Sequence, residues 1–414
     1  MKLWEDLQYR GLIKDVAGED LEKKLNDEVI TFYWGTDPTA DSLHIGHYSA
    51  LVTAKRLAKA GHKPILLVGG ATGLIGDPRP TAEREIISYE TLNQNVIKLQ
   101  KQVSNVFGME VEMVNNYDWF KDFSFLDFLR DVGKYINVNY MLNKDIISRR
   151  LDSGITFAEF SYTLIQGFDY VHLFRNKGCT LQAAGSDQWG NITTGIELIR
   201  KMEGKEAYGF TMPLVLDSNG NKFGKSEGNA LWLDLEKTSS YEIYQYLMNS
   251  SDEMVEKYIK IFTFLSKEEI EDIMKKHAEA PHLRLAQKTL GFEFIKDLHG
   301  VKEANKAVKI SESLFGGKVS DLTLDEAKDA FNGADMILLN EEIKLIDLLI
   351  NNNIASSRRE AREFLAAGSI SINDVKYSEE DKIITKDLAI GGEILVIKRG
   401  KKKQYILKFK KDEA

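Results

Sequence analysis

The chain predicts an α/β protein in three parts: a parallel-sheet domain with a helical insertion, a helical domain, and a small α+β domain. Three observations carry this reading. From Val29 to about Leu216, apolar strand-like runs alternate with long amphipathic segments, the pattern of βαβ units. From about Leu233 to Leu314, Glu, Lys, Leu and Ile recur at helical spacing with few glycines. From Glu341 to Ala414, fifteen Lys/Arg stand against thirteen Asp/Glu, leaving +2 there and −10 in the rest of a chain whose formal charge is −8. With 414 residues and 43% hydrophobic content, the chain has material for several cores, at about 100–200 residues per domain.

The elements follow in order. Val29 to Trp34 reads as a strand, Gly35 to Ala40 as a turn, and Leu51, Ala54, Leu57 and Ala58 as one face of a helix running to Ala60. Lys63 to Gly70 then reads as a second, parallel strand. This βαβ unit sets Gly35 beside Gly69-Gly70 at the carboxyl edge of the sheet, where open α/β folds bind ligands. Thr39-Ala40-Asp41-Ser42-Leu43-His44-Ile45-Gly46-His47 sits at the strand-to-helix junction. Free backbone N–H groups and the helix dipole make such a junction an anion site, and two imidazoles three residues apart add donors on one face. Gly46 leaves room there for a flat base. The segment from Phe123 to Asp169 is helical in pattern and reads as an insertion able to carry a subunit interface.

A glycine-rich loop follows, Asn219-Gly220-Asn221-Lys222-Phe223-Gly224-Lys225-Ser226-Glu227-Gly228. Two lysines three apart on such a loop suit a lid that closes positive charge onto a leaving pyrophosphate, although a solvated turn has the same composition. Paired with the histidine segment, the loop points to the phosphates of ATP and to adenylate chemistry. Gly316-Gly317 and the acidic stretch to Asp335 read as a connector. The expected boundaries are 1–220 for the sheet domain with its insertion at about 123–169, 221–320 for the lysine loop and helical domain, 321–342 for a linker, and 343–414 for the last domain. In that domain Ser357-Arg358-Arg359-Glu360 is a capping box. The helix it starts can place Arg358, Arg359 and Arg362 on a basic edge while Ala361, Phe364 and Leu365 face inward. Gly368 stops the helix, and Ser369 to Asp374 alternates as a strand with a turn.

Composition excludes several classes. The overall acidity gives no general basic footprint, so nucleic acid must be met by a local patch. A lone cysteine, Cys179, rules out an internal disulfide, makes structural zinc unexpected and fits a reducing cytoplasm. The apolar stretch from Ile65 to Ile75 is shorter than the roughly 20 residues of a spanning helix. Residues Met1 to Asp6 show no apolar leader core. A soluble cytoplasmic protein without a membrane partner is expected.

Phe32 to His47, Gly69 to Pro78, Phe160-Ser161-Tyr162, Gly185-Ser186-Asp187-Gln188-Trp189-Gly190-Asn191 and the lysine loop together resemble the bacterial tyrosyl-tRNA synthetases, a class I family. The likeness runs nearly end to end. It implies a Rossmann-like catalytic domain, a helical anticodon-side domain and an S4-like RNA-binding domain. The implied reaction activates tyrosine with ATP and transfers the tyrosyl group to the 3′ end of tRNA(Tyr). By the resemblance, His44, His47 and Thr39 would contact the ATP phosphates, and Lys222 and Lys225 would stabilise the transition state. Gly185 and Asp187 would hold the ribose, with Gly35, Asp37, Gly46 and Gln188 lining the ATP site. Tyr33 and Asp169 would bind the substrate phenol, and Asp77, Tyr162 and Gln166 its ammonium. Tyr162, Gln166 and Asp169 fall at i, i+4 and i+7, one helical face.

Where many members carry a lysine-bearing sequence after Gly-Asp-Pro, this chain has Arg79-Pro80-Thr81-Ala82-Glu83-Arg84, so Arg79 or Arg84 is expected to supply that charge. Arg358, Arg359 and Arg362 would meet tRNA. The resemblance also implies Mg²⁺ arriving with ATP, no resident metal, and a homodimer formed through the insertion. The rivals are a tryptophanyl-tRNA synthetase, opposed by Tyr33 with Asp169, an RNA-binding protein on a synthetase scaffold, opposed by the retained histidines and lysines, and a pure nucleotide-binding regulator, which leaves the helical and basic C-terminal domains without a purpose.

Overall fold

Strands and helices follow the alternating apolar runs. The structure is a computed structural model and describes residues 1–78, 87–109, 111–226, 229–400 and 403–410, the side chains of Ile146, Lys225, Ser226 and Asn229 excepted. Arg79 and Arg84 lie outside the described residues, as does the side chain of Lys225. The chain divides into two compact units, Met1–Thr238 with Met248–Leu298, and Ser239–Leu247 with His299–Ala414.

The first unit begins with α1 (Leu3–Tyr9), β1 (Val16–Ala17), α2 (Leu21–Asp27), β2 (Thr31–Thr36), α3 (Ile45–Lys59), β3 (Lys63–Val68), α4 (Thr72–Ile75), α5 (Tyr89–Phe107) and β4 (Glu112–Asn115). The insertion supplies α6 (Tyr117–Phe120), α7 (Phe125–Asp131), α8 (Val138–Leu142) and α9 (Asp145–Ser148), before α10 (Phe157–Lys177), β5 (Cys179–Gly185), α11 (Trp189–Glu203) and β6 (Tyr208–Met212). The sheet order is β1-β6-β5-β2-β3-β4, parallel except for β1. Phe32, Tyr33 and Trp34 of β2 are all buried, as a central strand covered on both faces requires. The chain runs outward from β2 to β4 on one side and returns through β5 and β6 on the other. The strand order therefore reverses between β2 and β5, and a cleft opens there at the carboxyl ends. The register Thr36↔Val68 sets the Gly35 end beside the Gly69 end, as the sequence suggests.

α10 covers this cleft. Thr156 and Glu159 form a reciprocal capping box at its start, and Gly178 ends it in the left-handed region at φ +63°. The lysine loop leads into a short hairpin, β7 (Lys225–Ser226) and β8 (Asn229–Ala230). α12 (Ser240–Met248) belongs mainly to the second unit, whereas α13 (Asp252–Phe262), α14 (Lys267–Glu279) and α15 (Leu285–His299) return to the first. Arg10 ties them there by donating to the carbonyls of Lys260, Thr263 and Leu265. The helical region expected as one block over 221–320 is thus divided, because helical periodicity states that a helix forms but not which body it packs on.

The second unit continues with α16 (Val301–Phe315), α17 (Leu324–Ala330), β9 (Met336–Leu339), β10 (Ile343–Lys344), α18 (Leu345–Asn351), α19 (Arg358–Ala366), β11 (Ile370–Ile372), β12 (Val375–Lys376), β13 (Ile383–Ile384), β14 (Ile394–Arg399) and β15 (Lys403–Phe409). Its larger sheet has the order β12-β11-β14-β15-β9. Residues 321–342, expected as a linker, instead carry α17, capped by Thr323, and β9, which pairs in parallel with β15. Of the acidic residues that suggested a connector, Asp325 and Glu326 stand in the first turn of a capped helix. In α19, Ala361 and Leu365 are buried, as expected from the pattern. Ser357 Oγ accepts from Glu360 N at 3.2 Å, but the Glu360 carboxylate takes the backbone N–H and hydroxyl of Ser356, so only half of the expected capping box forms. Asn373 and Asp374 join β11 to β12 with φ of +45° and +70°, the two-residue turn that matches strand twist.

Candidate functional site

His44 is the N-cap of α3, and its Nδ1 accepts the Gly46 N–H at 3.1 Å. His47 Nδ1 in turn accepts the His44 N–H at 3.4 Å, and the two rings lie 3.9 Å apart. With Nδ1 an acceptor in both rings, the hydrogen-bond network assigns the proton of each neutral imidazole to Nε2, a donor suited to phosphate oxygens. Gly46 is required sterically. A Cβ there would stand 2.8 Å from the His44 ring and 3.0 Å from the Phe223 carbonyl oxygen. Thr39, exposed in the loop before α3, donates its N–H to the Asp37 carbonyl.

Across the cleft, Asp37 accepts the Thr72 hydroxyl at one carboxylate oxygen and the Tyr162 hydroxyl at the other, both at 2.7 Å. Asp77 accepts from Gln188 Nε2 at 2.9 Å, and Asn191 braces Gln188 Oε1 at 2.9 Å. Burial and the negative charges of Asp37, Asp77 and Asp169 push the Tyr162 phenol well above its ordinary value. Gly69 and Gly70 admit no side chain, since a Cβ would stand 2.3 Å from Asp37 Oδ1 at the first and 2.3 Å from Asn115 Oδ1 at the second.

Deeper, Asp169 is 1% exposed and accepts from Asn116 Nδ2 and Trp119 Nε1, each at 3.0 Å. Burial pushes its carboxyl up to about 8, against the pull of those two donors. Tyr33 packs on Tyr170 at 5.4 Å, and its buried hydroxyl has no hydrogen-bond partner. Its strand neighbour Gln182 likewise leaves Oε1 unpaired. Buried polar atoms left without a partner are uncommon in folded proteins, and here two occur on residues paired in register across β2 and β5. Gln166 is half-buried on α10, Asp187 is exposed on the turn after β5, and Gly185 sits against the Asp187 carboxylate, where a Cβ would meet Oδ1 at 2.7 Å. Gly35, by contrast, has ordinary space for a Cβ.

The lysine loop lies against the histidine segment. Ile45 donates to the Leu231 carbonyl and Leu231 to that of Gly224, while Leu233 donates to Leu43. Lys222 is exposed. In the second unit, Arg358 pairs with Asp347 at 2.6 Å, Arg362 with Glu380 at 2.6 Å, and Arg359 with Glu363 at 3.1 Å. The structure therefore joins Asp37 to Tyr162 and Asp77 to Gln188 by direct hydrogen bonds, buries Tyr33 and Asp169, and sets both histidines at the N-terminus of α3. Sequence reasoning assigned no role to Thr72, Asn116, Trp119, Gln182 or Asn191. Thr72 and Asn191 lie inside motif stretches. The others are tied to the cleft only by contacts across the sheet.

Residues 25–316 match the family described as tRNA synthetases class I (W and Y), and residues 326–407 match the tyrosine–tRNA ligase SYY-like C-terminal domain. Tyrosine–tRNA ligases of Streptococcus agalactiae serotypes Ia and V are each 46% identical over 419 residues, covering 99% of this chain and all of theirs. Among solved structures, a C-terminally truncated mitochondrial tyrosyl-tRNA synthetase from Aspergillus nidulans superposes with a TM-score of 0.68 at 32% identity, over 76% of this chain and 94% of its own. A tryptophanyl-tRNA synthetase from Encephalitozoon cuniculi shares the fold at 14% identity and a TM-score of 0.56, over 73% of this chain and 87% of its own.

Proposed function

Because the chain belongs to the class I tyrosine–tRNA ligases, we propose that tyrosine and ATP meet in the cleft between β2 and β5. The enzyme activates tyrosine with ATP, releasing pyrophosphate, and transfers the tyrosyl group to tRNA(Tyr), releasing AMP. The observation that carries the site assignment is the unpaired Tyr33 hydroxyl in the buried cluster with Asp169. A substrate phenol gives the Tyr33 hydroxyl a partner, whereas phenylalanine leaves that hydroxyl buried and unpaired and adds nothing to the Asn116 and Trp119 donors that Asp169 already has. At the other end of the substrate, Tyr162 already donates its proton to Asp37, so its oxygen accepts from the ammonium. Gln166 and the Asp77 carboxylate complete that subsite.

Tyrosine's carboxylate is ionised at neutral pH and needs no general base. One of its oxygens forms the bond to the α-phosphorus while the bond to the bridging oxygen of pyrophosphate breaks. What the protein contributes is alignment and charge neutralisation. His44 and His47 offer Nε2–H donors to phosphate oxygens, Thr39 stands beside them, and Lys222 and Lys225, with Arg79 or Arg84, meet the departing pyrophosphate. Asp187 and Gly185 hold the ribose, and Gly35, Asp37, Gly46 and Gln188 line the nucleotide site. Mg²⁺ would arrive with ATP as part of the nucleotide substrate. In the second step a ribose hydroxyl at the tRNA 3′ end attacks the adenylate carbonyl and AMP leaves. Arg358, Arg359 and Arg362 contact the tRNA. No described helix is long and apolar enough to cross a membrane, and we place the enzyme in the cytoplasm, where its tRNA substrate is used.

The test is exchange of labelled pyrophosphate into ATP. Exchange with tyrosine, and none with phenylalanine or tryptophan, is the expected result. Folded protein that exchanges with no amino acid overturns the reading in favour of RNA binding without catalysis.

A further inference from the structure

Phe223 takes no part in the chemistry above, yet it is 2% exposed while the adjacent Lys222 is open to solvent. Its ring stacks on Phe262 of α13 at 4.8 Å and 21°, and meets Tyr258 at 4.8 Å. Phe262 is shared. Tyr48, the residue after His47, lies nearly parallel to it at 6.2 Å and 11°, and Phe294 closes the other side at 5.3 Å. The slot is anchored at its edges. Tyr48 and Lys55 both bond the Asp297 carboxylate, and Arg10 and Arg56 both donate to the Thr263 carbonyl just past the end of α13. On the loop side, Gly224 runs at φ +92°, with a Cβ there only 2.5 Å from Ile45 Cγ1. A side chain is excluded at that position by strain and by space. The loop backbone therefore rests directly on the first turn of α3.

We infer that Phe223 is a positioning residue: its ring, seated in an aromatic slot shared with Tyr48, sets where the two loop lysines stand relative to His44 and His47. The slot contributes rigid burial rather than charge, so it fixes geometry without altering the chemistry. The inference rests on the assignment of Lys222 and Lys225 to the departing pyrophosphate.

The experiment measures tyrosine-dependent pyrophosphate exchange, and tyrosine affinity by intrinsic fluorescence, for Phe223→Ala, Phe223→Leu and Phe262→Leu. Each is made in the full chain and again in a Lys222→Ala/Lys225→Ala background. A displacement of about 1 Å at a charge-neutralising group costs about 100-fold in rate, so kcat for Phe223→Ala is expected to fall by about that factor with tyrosine affinity unchanged. Phe223→Leu, which still plugs the slot, recovers most of the loss. Phe262→Leu, which alters the slot while leaving the loop's own sequence unchanged, lowers kcat in the same way. In the background without lysines, all three substitutions change nothing further. Equal losses in both backgrounds, or tyrosine affinity falling in step with kcat, overturns the inference while leaving the lysine assignment intact. A Lys222→Ala/Lys225→Ala enzyme that exchanges at the unaltered rate overturns the lysine assignment and this inference with it.

Discussion

Asp169 is held by Asn116 and Trp119 at the bottom of the cleft, and its carboxyl is pushed up to about 8 by burial. An unfolded aspartate titrates near ~3.9. Between about pH 4 and 8 the folded state therefore binds one more proton than the unfolded state, and stability declines as pH rises through that interval. The urea midpoint of the unliganded protein is expected to fall across it, and the slope is expected to flatten in Asp169→Asn. Parallel profiles for the two proteins would show that another group dominates. At this scale the sequence made Asp169 and Tyr33 legible, because each lies in or near a motif. It could not show Asn116, just after β4, and Trp119 of α6, which reach Asp169 from 53 and 50 residues away. Neither leaves a periodic mark. Arrangement also escaped the sequence: Tyr162 is expected at the substrate ammonium, and only coordinates show that its proton is already given to Asp37.

Among elements, α7 stands out because, apart from Phe128, which packs on Phe120, Phe123 and Phe168, its apolar residues stay exposed. Phe125, Leu126 and Leu129 are exposed, Leu126 at 75%, and none of α7 is buried. Val138, Leu151 and Phe157 of the same insertion are exposed as well. A surface of this kind, on an insertion expected to join subunits, supports a homodimer. Sedimentation at micromolar concentration is expected to give a dimer, and Leu126→Asp combined with Phe125→Ser a monomer. A monomer from the unaltered chain would refute the assignment. Element existence was readable for β2, α3 and β3, since apolar strand runs and helical periodicity are local. Packing partners were not. α13 to α15 share their periodicity with α12 and α16, yet long-range bonds such as those from Arg10 decide which body each joins. β9 was hidden because its stability comes from pairing with β15, about 70 residues later, and not from its own four residues.

On the scale of the whole molecule, charge is divided unevenly along the chain. The last 74 residues are net positive while the rest of the chain is strongly negative, so the acidic part repels RNA phosphates and the basic part must offset that repulsion. Its arginines do not stand alone: Asp347 and Glu380 hold Arg358 and Arg362 in place at 2.6 Å. Such exposed pairs, screened by solvent, contribute little to folding. Removing an arginine has two effects on RNA. It deletes a cation and leaves a bare carboxylate facing the phosphates. Arg358→Ala with Arg362→Ala is therefore expected to raise the KM for tRNA, with tyrosine-dependent pyrophosphate exchange unchanged. If each arginine meets one phosphate, the slope of log affinity against log salt should flatten by roughly 0.7–0.9 per residue. Adding Asp347→Asn and Glu380→Gln to the double variant should recover part of the affinity, because the uncovered negative charge is gone. A loss of pyrophosphate exchange in parallel would mean that the arginines support the fold, and an unchanged salt slope would mean that tRNA is met elsewhere on the second unit.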